Sequence, residues 1–187
     1  MFTDSRSRRV IFLSHCLLNQ NSISDGTADF PSQFDEVIEL LMKNRIGIIQ
    51  LPCPELLCLG LDRGDSNGAK RPVLDENTRI RELLSEKEQI AVIRYKAEEV
   101  VRQIREYQHY GFQILGLIGV NRSPSCGIET TSRNGNEQEG QGVFMKILSE
   151  TLSANGITLR MIGTKTSEKE LSLEKIREFI DEYPLCK

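Results

Sequence analysis

Short apolar runs alternate with amphipathic segments along most of this chain, and that rhythm restricts the fold more than any other feature. The runs RRVIFLS (8–14), IGIIQLP (46–52), FQILGLIGV (112–120) and ITLRMIG (157–163) are rich in β-branched residues. Each is near-continuously apolar, the pattern of a strand buried on both faces. Between and after them lie helical patterns over 33–44, 96–111, 142–156 and 173–183. Val37, Ile38, Leu40 and Leu41 share one face of the first, and Ala97, Val100, Val101 and Ile104 one face of the second. Gly111 and Gly156 stand where a left-handed helix cap is wanted, each directly before a strand. A β-α-β-α order with doubly buried strands predicts one domain over 1–187, an α/β fold. It is a three-layer α/β/α domain with a mainly parallel, Rossmann-like sheet and right-handed crossovers. The long polar stretches 62–70 and 130–141 are expected to be loops.

At 187 residues the chain can bury a core without disulfide staples. Its net charge is -3, with 24 Lys and Arg against 27 Asp and Glu spread along its length, so no basic stripe points to nucleic acid. SRSRR near the start precedes only VIFL, too short for a signal sequence or a membrane span. A cytoplasmic protein is expected, with a small-molecule ligand and neither nucleic acid nor membrane as partner. Five cysteines at irregular spacing point to reduced thiols, metal ligands or nucleophiles rather than a disulfide framework.

Three of those cysteines share one position. Cys16 follows the first strand in SHC, Cys53 the second in LPCPE, and Cys126 the third in NRSPSC. In an open parallel sheet the carboxyl ends of the strands emerge on one edge, where ligands bind, so three distant thiols are expected to meet in one crevice. Three thiolates suit a metal or cluster with one position left open better than a closed four-ligand zinc site. Independent burial of three core cysteines is the alternative, and a single nucleophilic thiol would leave the other two unexplained.

The segments CLLNQNSISDG (16–26), PCPELLCLGL (52–61) and RSPSCG (122–127) resemble, in order, the three signature segments of the thiouracil desulfurase family. GQGVFMKILSETLSANGI is similar to that family's last Gly-Val helix, so the likeness reaches to about Gly163. The resemblance implies a [4Fe-4S] cluster on Cys16, Cys53 and Cys126, with one iron free to take sulfur from a thiocarbonyl. It thereby implies a desulfurase that hydrolyses a C–S bond of a small thiolated heterocycle such as 2-thiouracil. Asn19 replaces the family's glycine, Ser22 stands where many members carry a cysteine, and 57–72 is longer and altered relative to the usual segment.

Glu55 and Asp25 are the candidate carboxylates for acid-base work, Glu55 being favoured because Pro54 restrains it two residues beyond a proposed ligand. An ion pair between Glu55 and Arg63, and an Asx turn at Asp25, are the structural alternatives. Ser123 is a weaker catalytic candidate and Ser125 weaker still. Cys58 is assigned to core packing and Cys186 to no role. Strand alternation turns His15 away from Cys16, and His109 suits the end of a helix. The stretch 130–141 could close over a ligand, or Gly140 and Gly142 could offer backbone N–H groups to an anion. A non-catalytic iron-sulfur or metal-binding module for sulfur or electron transfer is the alternative function. A nucleotide-binding domain has little support, because no glycine-rich phosphate motif follows the first strand.

Overall fold

The computed structural model describes residues 2–182. Four parallel strands, β1 (Arg9–Leu13), β2 (Gly47–Gln50), β3 (Gln113–Val120) and β6 (Met161–Thr164), form one sheet in the order β2-β1-β3-β6. Every residue of β1 is buried, the apolar run 10–13 as a central strand covered on both faces requires, and Arg9 with its guanidinium donating to the carbonyl of Asn44. One face of the sheet carries α4 (Val73–Leu84), α5 (Lys87–His109) and α6 (Val143–Ala154), packed on Phe12 and Leu117. The other carries α2 (Asp35–Lys43) and α7 (Lys169–Asp181), packed on Ile11, Leu13 and Ile118. The domain is therefore the three-layer α/β/α arrangement expected from the rhythm of the sequence.

Ala97, Val100, Val101 and Ile104 are all buried along α5, and Val37 and Leu41 along α2. Gly111 and Gly156 have φ of 71° and 67°, the left-handed caps that end α5 and α6. A bulge in β3 at Gly116 lets three residues oppose two of β1, so Leu115 and Ile118 face the α2/α7 layer while Leu117 faces the other.

One expectation is corrected and another is borne out. The stretch 130–141 is not a loop: β4 (Thr130–Arg133) and β5 (Asn136–Glu139) pair as an antiparallel hairpin around Asn134-Gly135, whose φ values are 52° and 68°. Those angles are the ones a two-residue primed turn needs, and Asn-Gly adopts them readily. Arg122, two residues past β3, bridges to Thr131 and ties the hairpin to the end of that strand. The stretch 62–70 is non-strand, with a short 3-10 turn at Gly68–Lys70, and is followed by α4, a helix the periodicity did not predict. Two further short helices, α1 (His15–Leu18) and α3 (Pro54–Leu59), begin directly after β1 and β2. No helix among the described residues is long and apolar enough to cross a membrane. Cys186 and Tyr183, the last residue of the expected final helix, lie outside the described residues.

Candidate functional site

Each cysteine of interest is placed by the turn that ends its strand. Ser14 closes β1 by donating its N–H to Ile118, and Cys16 follows in the first turn of α1. Cys53 is the N-cap of α3, its Sγ accepting the N–H of Leu56 at 3.4 Å, with Pro54 at the first helical position where no N–H is needed. Cys126 sits in a tight turn in which Ser123 Oγ accepts the N–H groups of Cys126 at 2.9 Å and Ser125 at 3.3 Å. Because β2, β1 and β3 are neighbours, these three turns line one pocket with Glu55, Arg63 and Ser125. Lys165 and Thr166, just past β6, complete the rim.

The Cys126 turn is braced from behind by α6. Its first N–H groups donate into the turn, Val143 to Pro124 at 2.9 Å and Phe144 to Ser125 at 3.0 Å, and Gly142 donates to Gly127 at 3.0 Å. Gly140 donates to Glu129. These donors are spent on protein carbonyls, so Gly140 and Gly142 do not hold an anion as the sequence allowed. Gly142 is required for a spatial reason: a Cβ there would lie 2.4 Å from the Ser125 carbonyl. Gly142→Ala is expected to push the helix off the turn and cost about 1–3 kcal/mol, measurable as a lowered urea midpoint at unchanged slope. A wild-type midpoint would mean the contact relaxes freely.

Glu55 is buried and both of its oxygens are engaged. Ser125 Oγ donates to Oε1 at 2.5 Å, while Oε2 accepts from Arg63 Nε at 3.0 Å and from Ser24 Oγ at 3.3 Å. Arg63, only 2% exposed, also donates to the carbonyls of Ser22, Gly60 and Leu61. Its remaining donors are thus satisfied by the backbone that follows Cys16 and by its own loop. The Glu55–Arg63 pair that the sequence offered as an alternative is present, and through Ser125, whose Oγ lies 3.6 Å from Cys126 Sγ, it reaches the third cysteine.

Burial dominates the electrostatics. It pushes the Cys16 thiol up to about 12, with Cys53 and then Glu55 adding to the rise, and pushes Cys53 up to about 11, with Glu55 adding. Cys126 is raised in the same way, first by burial and then by Cys16 and Cys53. Without a bound cation all three are thiols at neutral pH, and a thiol is a poor nucleophile. Metal ligation displaces such protons. Among the described residues no group of three or more His, Cys, Asp or Glu is arranged to hold a metal ion. A single zinc ion with bonds of about 2.3 Å draws its thiolates to within about 4 Å of one another.

The remaining candidates separate. Asp25 is exposed and lies outside this pocket, beside Asp62 and Asp65 in a recess of its own. Ser123 lines the pocket, but its oxygen is committed to the turn, and Ser125, ranked lower from sequence, makes the bond to Glu55. His15 is hydrogen-bonded to the backbone of Leu51, and burial lowers its pKa. It also lines the pocket, contrary to the alternation argument, because the strand has ended at Leu13 and a helical turn has begun. Cys58 packs against the core, and His109 occupies the last turn of α5. Asn77, on the unpredicted helix α4, is a pocket residue that no motif indicated.

No family model matches the chain, and no solved structure matches it. Among curated proteins it is similar to the uncharacterized protein MJ0003 of Methanocaldococcus jannaschii. The two are 29% identical over 165 residues, spanning 88% of this chain and 91% of that protein.

Proposed function

We propose that this protein is an iron-sulfur-dependent desulfurase that converts a thiocarbonyl of a small heterocycle, such as 2-thiouracil, to the carbonyl. The observation that carries the reading is the convergence of Cys16, Cys53 and Cys126, from three adjacent strand ends, on one pocket that also holds a buried carboxylate. When bound there by these three cysteines, a [4Fe-4S] cluster supplies an iron with an open position, a Lewis acid for the thiocarbonyl sulfur. The net reaction, thiocarbonyl plus water giving carbonyl plus hydrogen sulfide, needs no electrons.

The chain's own residues manage the proton. Glu55 Oε2 is tied to Arg63 and Ser24, which leaves Oε1 and the Ser125 hydroxyl as the short hydrogen-bonded pair facing the thiols. Water delivered to the thiocarbonyl carbon gives up one proton through Ser125 to Glu55 Oε1, the same path returns it to the departing sulfur, and the remaining hydroxyl proton follows as the carbonyl forms, so sulfur leaves with both protons of the water. Arg63 holds the carboxylate in place, and Ser123 holds the Cys126 turn.

Anaerobic reconstitution followed by a sulfide-release assay tests the reading. About four irons and four acid-labile sulfides per chain, with sulfide liberated from 2-thiouracil or a related thioamide, are expected. A loaded protein that liberates no sulfide across such a panel points to the non-catalytic module. A folded protein that takes up no iron rejects both.

A further inference from the structure

Helix α4 runs alongside the pocket, and Val73 and Asn77, one turn apart, both line it. One turn further on, Arg81 fastens the helix to the Cys126 turn and the hairpin, donating to Thr131 Oγ1 at 2.8 Å and, more distantly, to the carbonyls of Pro124 and Gln141. Asn77 is therefore held on a rigid element, and its residue exposure is only 8%.

The neighbours of Asn77 decide which way its amide points. Ser132, fully buried, donates its single hydroxyl proton to the carbonyl of Arg122 at 2.6 Å. What Ser132 Oγ has left is a lone pair, and Asn77 Nδ2 donates to it at 3.1 Å. The amide nitrogen is thus turned away from the pocket, toward the hairpin. No donor among the described residues reaches Asn77 Oδ1, a carbonyl oxygen on a residue that lines the pocket. The oxygen has no protein donor among those residues and is not sealed from solvent, so it is open to accept from a ligand in the pocket.

We infer that Asn77 Oδ1 is a fixed acceptor that reads an N–H group of the small ligand, so that the site selects ring lactams and thiolactams carrying a free N–H. Apolar neighbours, Ile23, Val73 and Val120 among them, suit the faces of a flat ring, while the amide reads its edge. The inference rests on the proposed function only in taking the ligand to be a small heterocycle. It requires no sulfur chemistry, because the oxo and thio rings share the N–H. Asn77 acts as a specificity-determining residue, and Ser132 positions it.

Calorimetric titration of the full, reconstituted protein with uracil and with 1,3-dimethyluracil tests this directly. The wild type is expected to prefer uracil by about three- to tenfold, the worth of one well-placed hydrogen bond. Asn77→Ala is expected to bring the two affinities within about twofold. Ser132→Ala, which frees the amide to rotate, is expected to reduce the preference while both rings still bind. A folding defect would weaken both ligands together, so the ratio within each variant isolates the acceptor. Equal affinities in the wild type, no saturable binding of either ring, or an undiminished ratio in Asn77→Ala would each overturn the inference. A uracil preference that depends on Asn77, in a protein that releases no sulfide from 2-thiouracil, would uphold the acceptor and reject desulfurase activity. Sulfide release without that dependence would do the reverse.

Discussion

Serine at any one of positions 16, 53 or 126 is expected to strip the protein of its iron, whereas Cys58→Ser leaves the iron content of the wild type. A hydroxyl matches a thiol in size but is a hard, weakly acidic donor that iron in a sulfide-rich cluster does not accept in place of a thiolate. Each of the three cysteines comes from a different strand end, so no neighbouring thiol on the same segment can step in for Cys16 or Cys126. Cys53 has Cys58 five positions on, but that side chain packs into the core cluster. The measurement is iron and acid-labile sulfide per chain after anaerobic reconstitution, with the brown absorbance as a second readout. Loss of iron from Cys58→Ser equal to that from the other three would place a fourth thiolate at the site and remove the open position on which the proposed chemistry depends.

Glu55→Gln is expected to be nearly inactive and measurably less stable. The amide keeps the shape of the side chain but cannot hold the proton taken from water, a loss of about 10²- to 10⁴-fold for a positioned acid-base group. The same change leaves the guanidinium of Arg63, 2% exposed, without its countercharge. Breaking a buried pair from one side costs about 3–5 kcal/mol, a large part of the ~5–15 kcal/mol that holds a typical domain together. Combining Glu55→Gln with Arg63→Met separates the two effects. Urea unfolding is expected to show stability partly recovered once the stranded charge is gone, while sulfide release stays at the level of the single variant. Wild-type turnover by Glu55→Gln would sink the proton path through Ser125, because Asp25 stands outside the pocket and cannot replace it.

The strands and the positions of the three cysteines could be read in advance because one physical requirement writes both. A strand covered on two faces must be apolar at successive positions, and a thiol just beyond such a run has to lie where the sheet opens. Helix α4 left no comparable trace: Val73, Ile80 and Leu84 are its only apolar residues on a regular stripe, and it follows Arg71-Pro72 in a polar stretch. The hairpin was hidden for the opposite reason. Asn134-Gly135 is a strong turn signal, but the flanking TTSR and NEQE lack the alternating apolar residues that announce strands. The Glu55–Arg63 pair is offered by the sequence only as an alternative to a catalytic role, because the turn at φ 54° that brings Arg63 to it is a geometry that spacing along the chain does not encode. Asn77 became visible only once α4 and Ser132, far apart in sequence, were seen side by side.

The order of strands has a consequence for how such a site comes into being. Cys16 and Cys126 belong to strands that pair across about a hundred intervening residues, and Cys53 joins them only when β2 has docked on the far side of β1. The unfolded chain holds no ready chelate of the kind that closely spaced ligands provide, so metal cannot serve as the template for folding. Non-local pairing must be complete first. If the proposed cluster is the ligand, its insertion follows folding, because the three cysteines share a pocket only once the sheet is formed.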